Sequence, residues 1–588
     1  MSLTTPFEAP APSALAAPAA PAGREDEPVL DIDQIQGNIL PGFNKDHQTL
    51  LFLRVDDPAA FAGWLDGFVR MVATTEDVLA FSRLYKSLRR KQGGDYGTVQ
   101  AVWANIAFSF AGLKKLERPG MDLDGFTDPA FKDGLATRAA ALGDPVGSAK
   151  PGDPANWLVG GPEREADVVL TLAGDSRAAL NDEVGRVVGT LFPKAGEGGQ
   201  TVWSGASILF RQDGDTLTGP LRGHEHFGFK DGVSQPGVRG LLPDGTPLTP
   251  SQNPLNVGQG KPGQDLLWPG EFVFGYAGQD ANKEIAEPGL DPLKNPKRKA
   301  PAFARNGSFL VFRRLRQDVG TFHRFLGGLG VRFGSTPEFV GARMVGRWPS
   351  GAPVVVSPLA DDKQLAADDC RNNNFEFEEG EEGEGGPEEP VKLPGSVCPA
   401  VPPAHDPDGS KLPFAGHIRK AYPRNDTDPS SPGLGESSTQ THRLLRRGIP
   451  FGAQSASSLG YPSDDGVDRG LLFLAHQVSI ADQFEFVTRN WVNNPSFKRG
   501  GVGFDPIIGQ NGDPSRRRAF RLGLPGETAP VETDQEWVVA TGGGYFFAPS
   551  VAALQALAAP VPEGGAKPPA KKPGKAKKKP APKPKNKS

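Results

Sequence analysis

Thr49-Leu50-Leu51-Phe52-Leu53-Arg54-Val55 is a short, nearly unbroken apolar run, which is the mark of a buried strand. Directly after it, Pro58 to Met71 places Phe61, Trp64, Leu65 and Phe68 at helical spacing. The same mixture continues outward. Val99 to Phe110 reads as a strand region, Asp167 to Leu172 as a strand, Ala178 to Leu191 as a helix and Ala206 to Arg211 as a strand. Farther on, Ser308 to Phe312, Leu471 to Leu474 and Gly544 to Phe547 read as strands. Helices are expected from Val319 to Leu326 and beyond, and over Ile480 to Trp491. The intervals are irregular, and no Gly-rich nucleotide-binding turn follows the first strand. This predicts an α+β fold, with helices packed on one face of the sheets, rather than a doubly wound parallel sheet. The order allows two similar halves, although no repeat shows at the residue level.

Composition sets the outer limits. A chain of 588 residues has room for two or more packed domains. Gly 75 and Pro 58 together make nearly a quarter of it, which excludes a helical bundle or coiled coil. Two cysteines, Cys370 and Cys398, exclude a disulfide framework or a four-Cys metal site. No apolar run reaches membrane-spanning length, so no membrane partner is expected. The first residues hold no basic cluster followed by an apolar stretch, so no export signal is read and a cytoplasmic location is expected. Charge is divided unevenly. From Val561 onward the chain carries +9, against −4 for the whole, which leaves an acidic body at −13 and argues against a nucleic-acid groove there. Residues 1–28, rich in Ala and Pro, read as a disordered leader, and 561–588 as a disordered Lys/Pro tail that solubilises or contacts an acidic partner. Glu376 to Glu389, with eight Glu among Gly and Pro, reads as a solvated insertion in which nothing packs.

Eight histidines limit any imidazole chemistry. The densest segment is Gly223-His224-Glu225-His226-Phe227-Gly228-Phe229-Lys230-Asp231-Gly232. On one reading His224 and His226 share a strand face and, with Glu225, seed a metal site. On another, Asp231 is the active group in a tight glycine loop open to a ligand. An ordinary hairpin turn explains Asp231-Gly232 as well, and composition alone favours the turn. In Ala415-Gly416-His417-Ile418-Arg419-Lys420-Ala421-Tyr422-Pro423-Arg424, a lone His among small and apolar residues suits an axial metal ligand, and its basic neighbours suit an anionic cofactor. A surface His in a basic loop is the alternative. In Arg443-Leu444-Leu445-Arg446-Arg447-Gly448-Ile449-Pro450-Phe451-Gly452, an Arg pushed toward a pocket can stabilise a developing anion. Surface ion pairing is the alternative.

In this order the segments resemble the dye-decolourising peroxidases, a haem peroxidase family. Gly228-Phe229-Lys230-Asp231-Gly232 is similar to the family's Gly-x-x-Asp-Gly signature. His417-Ile418-Arg419-Lys420 with Pro423-Arg424 is similar to its proximal-histidine segment, and Arg446 to Gly452 to its distal-arginine segment. Gln36-Gly37-Asn38, Pro269 to Phe272, Asn306 to Arg313, Gly346 to Pro349 and Asp505 to Gln510 extend the likeness from about residue 31 to residue 556. The resemblance implies two ferredoxin-like domains with antiparallel sheets, at 29–235 and 236–560, the second carrying an insertion near 376–411. It implies haem b, one per chain, mainly in the second domain. Carried over, His417 is the iron ligand, Asp505 the acceptor for its other ring nitrogen, and Asp231 and Arg446 the distal pair. Leu471 and Phe473 form the apolar distal wall, and Arg424, Arg419 and Arg347 hold the propionates. Hydrogen peroxide and small or bulky aromatic reductants are the implied substrates, oxidation proceeding in single-electron steps.

The sequence also departs from that pattern. Leu412-Pro413 stands where Cys-Pro is frequent and Tyr422 where Asn is usual, and the Arg446-Arg447 pair leaves a register of one residue open. Tyr422 is near enough to His417 in sequence to relay electrons, but a packing role is the stronger reading. Three other readings stay in play. One is a haem-binding or haem-processing protein built on the same His417. A second is a non-haem metallohydrolase using His224, His226 and Glu225. In the third, the basic tail is primary and the body a scaffold.

Overall fold

The computed structural model describes residues 27–92, 100–195, 201–230, 232–279, 300–379, 390–395, 397–426 and 435–559. Asp231, the leader up to residue 26, the segment 380–389 and the Lys/Pro tail lie outside the described residues. The chain begins with β1 (His47–Val55), α1 (Pro58–Val69), α2 (Thr75–Gln92), β2 (Val102–Phe108), β3 (Val168–Gly174), α3 (Arg177–Leu191) and β4 (Ala206–Asp215). It continues with β5 (Ser308–Gln317), α4 (Val319–Phe333), α5 (Pro337–Val345), α6 (His417–Ala421), β6 (Leu445–Arg446) and β7 (Ile449–Phe451). It closes with β8 (Gly470–Gln477), β9 (Val538–Ala548) and α7 (Val551–Ala558), shorter pieces lying between.

These strands form one sheet in the order β6-β8-β5-β9-β2-β3-β1-β4, with β7 also on β8. Neighbours run antiparallel throughout. The α+β class and antiparallel pairing are as expected, but the two strand sets are not separate sheets. They meet edge to edge where Phe547 on β9 faces Phe108 on β2.

The apolar run that opens the argument is buried from Gln48 to Leu53 because both faces of the sheet are covered. Leu51, Leu53 and Val55 join a core with Phe61 and Leu65 of α1, Val184 of α3 and Leu554 of α7. Leu50 and Phe52 pack on the other face against Leu30, Ile35 and Ile39 and against Val238, Leu267 and Phe272, none of them in a helix. Helices thus occupy one face, and irregular chain seals the other. Helix α1 starts where the sequence directs it: the Asp57 carboxylate accepts from Ala59 N and Ala60 N, and Pro58 takes the first turn, where no N–H is needed. Helices α2, α5 and α7 had no counterpart in the sequence reading.

The helix expected over Ile480 to Trp491 is wound more widely, as π-helical turns at Ile480–Phe484 and Val487–Val492. Such turns carry more residues each and recur at functional sites. The two cysteines form one bridge, Cys370–Cys398. No helix among the described residues is long and apolar enough to cross a membrane.

Candidate functional site

The odd-numbered residues of β5 change environment along the strand. Phe309 and Val311 belong to the core beneath the helices, whereas Arg313, Leu315 and Gln317 line a cavity of about 340 Å³. Leu471 and Phe473 of β8 line it too, as do Val538 and Ala540 of β9. The alternate residues Leu472 and Leu474 belong to the opposite core, as strand geometry requires. The π-wound stretch contributes Phe484, Val487, Thr488 and Val492 to another wall.

His417 opens α6 and reaches the cavity. Gly416 before it has no room for a side chain: a Cβ there would lie 2.6 Å from Leu412 Cδ1 and 3.2 Å from Arg343 O. His417 Nδ1 lies 2.8 Å from Asp505 Oδ2. Because a carboxylate only accepts, Nδ1 carries the proton and Nε2 carries the lone pair that a metal would take. The other oxygen of Asp505 accepts from Ile507 N at 2.8 Å and Ile508 N at 2.9 Å. The turn at Pro506 and the partner of His417 are therefore made by one side chain. Burial pushes Asp505 up, but the His417 ring and the two amides outweigh it and hold the group below the usual carboxylate range. Beneath this pair Lys420 is fully buried, its Nζ 2.6 Å from Asn494 O, and burial pulls it down to about 7.

Of the two neighbouring arginines, Arg446 lines the cavity. Its Nη2 donates to Ser234 O at 2.9 Å, and its backbone pairs with the Gln235 side chain, tying it to the Gly232–Gln235 loop at the cavity. Arg447, the next residue on the strand, instead donates to the carbonyls of Asn38, Ile39 and Leu40. Gly232, Val233 and Ser234 line the cavity, and Gly232 takes φ +73°, a conformation suited to glycine. Asp231, between Lys230 and Gly232, is outside the described residues.

Arg347 and Arg424 line the same cavity and share one acceptor, Asn373 Oδ1, at 2.8 and 2.7 Å. Arg347 also donates to Gly351 O and Asn372 O. These partners are neutral. Burial, aided by the nearby Arg424 and Arg446 charges, pulls Arg347 down to about 9. A buried guanidinium held by carbonyls beside two other cations is complementary to an anion entering the cavity. A flat apolar group bearing carboxylates and a metal fits this donor set: apolar walls, cations to one side and an oriented imidazole.

Three expectations need correction. Arg419 does not reach the cavity. It is buried between the Phe377 and Phe414 rings and bonded to Asp426 at 2.7 Å and Asp406 at 3.1 Å, so its charge is already matched. The Glu-rich insertion does not begin at Glu376: Phe377 is fully buried and, with Phe375, lines the cavity. His224 and His226 do not share a strand face. His224 Nε2 contacts Pro349 O at 3.0 Å, and His226 Nε2 contacts Phe451 O at 2.9 Å, with burial pulling His226 down to about 4. Glu225 accepts from the amides of Phe227 and Phe229. Among the described residues, no group of three His, Cys, Asp or Glu is placed to hold a metal ion.

The sequence names Tyr422 but not its partners, and other cavity groups carry no sequence signal at all. Tyr422 donates to Asp265, and the Arg443 guanidinium stacks 3.4 Å over its ring, so the phenol both packs and bonds at the wall. Asp144 and Arg313 form a buried pair at 2.7 and 3.0 Å. His442 stacks on Phe486 at 3.7 Å, with Trp491 edge-on at 5.3 Å. No spacing rule marks these groups, because their partners are far away in sequence.

Comparison with known proteins gives a consistent picture. The family model for the DyP dimeric alpha+beta barrel domain matches residues 34–197. The dye-decolorizing peroxidase msp1 of Mycetinis scorodonius is 31% identical over 94% of this chain and 91% of its own length. The dye-decolorizing peroxidase of Mycena epipterygia is 32% identical over 90% of this chain and 87% of its own. Among solved structures, an ancestral D-type dye decolorizing peroxidase superposes with a TM-score of 0.68 at 32% identity, covering 90% of this chain and 100% of that one. The dye-decolorizing peroxidase of Auricularia auricula-judae gives a TM-score of 0.65 at 28% identity, with the same coverage.

Proposed function

The chain belongs to the dye-decolourising peroxidase family, and from that premise we propose that it is a haem b-dependent peroxidase that reduces hydrogen peroxide and oxidises dyes or phenolic donors one electron at a time. The observation that carries this reading is the His417–Asp505 pair in a cavity that also presents Arg446, Leu471 and Phe473. Haem, when bound, supplies the iron at which peroxide is reduced and from which single oxidising equivalents are passed on. His417 Nε2 is the ligand atom, and Asp505 fixes the tautomer and raises the basicity of the ring. Arg347 and Arg424 take the propionates, with Asn373 aligning both guanidinium groups.

With haem bound, Asp231 would serve as the acid–base group that moves a proton between the two peroxide oxygens, the role the family resemblance assigns to it. A carboxylate does this only while ionised, a form that a neighbouring guanidinium such as Arg446 would favour. Arg446 also stabilises negative charge as the O–O bond breaks. Leu471 and Phe473 keep bulk water from competing. Donors too large for the cavity require a route through the protein wall, and the His442–Trp491 contact is one aromatic contact at that wall.

We take 29–235 and 236–560 as two ferredoxin-like units, with the cofactor mainly in the second. The Cys370–Cys398 bridge favours work in an oxidising environment over the cytoplasmic location expected from the sequence. The test is an absorption spectrum of protein made with ample haem supply. A Soret band that is lost in His417→Ala and kept in Asp231→Ala and Arg446→Leu, with turnover of peroxide and a one-electron dye lost in the latter two, supports the enzyme. A Soret band without turnover in the unsubstituted protein leaves a haem-carrying protein instead, and full turnover in both distal variants removes Asp231 and Arg446 from the mechanism.

A further inference from the structure

We propose that the Cys370–Cys398 bridge is a positioning element for the cofactor site, clamping the turn that aims Arg347 and Arg424. The inference rests on the haem reading above and adds a covalent control to it.

Cys370 lies in a tight turn whose next residues do the aiming. Asn372 O accepts from Arg347 at 2.6 Å, and Asn373 Oδ1 accepts from both Arg347 and Arg424. No hydrogen-bond partner of Arg347 is charged, and the nearest carboxylate oxygen to Arg424, on Glu376, is 3.8 Å away. The two guanidinium groups are therefore directed by the position of this turn rather than by strong ion pairs. The turn is braced from the far side: Asn373 Nδ2 donates to Gly263 O, and Cys398 N donates to Gln252 O at 2.9 Å. Gly263 has no space for a Cβ, which would lie 1.8 Å from Asn373 O. The 370s turn, the 398 segment and the 252–263 loop thus form one block, in which the disulfide cross-links the first two and hydrogen bonds hold the third.

What the fastening encloses gives it leverage. Cys370 and Cys398 are 28 residues apart, and the Glu-rich insertion falls between them. Without the bridge, the return of the chain at Cys398 depends on a few backbone and amide contacts, such as Asn374 Nδ2 to Val401 O. Opening the bridge restores the configurational freedom of that loop, and the first structure to loosen is the turn on which Cys370 sits. Reduction is chemically simple: a dithiol such as dithiothreitol gives two electrons and two protons, the S–S bond becomes two thiols, and the reagent closes to its own disulfide.

The experiment uses the haem-loaded full chain mixed with excess apomyoglobin, which captures released haem and reports its rate in the Soret region. Two forms are compared with the untreated protein: one reduced and capped with iodoacetamide, and the Cys370→Ser/Cys398→Ser variant, so that a folding failure of one does not decide the matter. The expected result is release on the order of tenfold faster in both. Cutting the bridge in an Arg347→Met background should add little, because the two changes act on one contact. A purely structural staple would accelerate release equally in both backgrounds, and that additivity overturns the proposal. Unchanged release also overturns it, as does iodoacetamide labelling of both thiols in protein purified without reductant. Absence of a Soret band in untreated protein overturns the peroxidase reading along with it, whereas an intact band with unchanged release overturns this inference alone.

Discussion

The two ends of the sheet use the same materials for different purposes. Around β1 the helix-side residues Leu51, Leu53 and Val55 are buried in one core with residues of α1 and α3. On the same face of β5, farther along, Leu315 and Gln317 meet a cavity that α6 and the π-wound 480–492 stretch enclose without filling. The first end buries apolar surface and gains stability. The second gives up part of that gain and admits arginines, an imidazole and a carboxylate that a filled core would exclude. A site of this kind is therefore expected to lose function without loss of fold, and the filled end to show the converse.

That contrast can be broken or sharpened by substitution, ranked by what turnover loses. His417→Ala should remove the porphyrin band altogether while leaving the far-ultraviolet dichroism intact. Arg446→Leu should keep the band and lower kcat for peroxide by about 10²–10³-fold in steady-state assays. Asp505→Asn should preserve the shape of the His417 partner but not its charge, costing about 10–100-fold in haem affinity or turnover, read by haem release and kcat together. At the filled end, Phe52→Ala should cost about 3–5 kcal/mol of unfolding free energy in denaturant titrations, with turnover per bound haem unchanged. If Phe52→Ala instead alters turnover per haem, the two ends are coupled and the contrast fails.

The smallest effect concerns pH. Lys420 is held down to about 7 by burial, against an ordinary 10.5. Between those values the unfolded chain binds a proton that the native protein refuses, so stability rises with pH across that window; below about 7 the cost of a buried charge is complete. Lys420→Met should flatten the rise, with its benefit to the melting temperature larger at pH 6 than at pH 9.

Legibility in the sequence follows the same division. The filled end was readable because a strand covered on both faces is apolar at every position, and Leu50 to Leu53 show it. At the cavity the strands alternate between core and site, and nothing in Arg313-Arg314-Leu315 says which side chain meets solvent, ligand or partner. Residue types alone leave His417 and Arg446 open between a site and a surface role, and the family resemblance is what turns both toward the cavity. Arg419 illustrates the limit: a guanidinium near a candidate ligand suits a propionate in sequence, yet Asp406 and Asp426 close around it in space. Phe375 and Phe377 were masked by the glutamates that follow them, since composition averages over a boundary that packing draws sharply. Tyr422 with Asp265 was out of reach, the partners being 157 residues apart.

Strand β9 lies between β5 and β2, although it is the last strand of the sheet in chain order. Its Val538 and Ala540 complete the cavity wall, and the helix that follows settles on the first helix of the chain, with Val551 N bonded to Gln34 O. During synthesis the strands at the filled end can pair as they emerge, but the central slot stays vacant until β9 arrives. Capture of a haem by this cavity would therefore be a late event in biogenesis, and a nascent chain arrested before Val538 should emerge colourless.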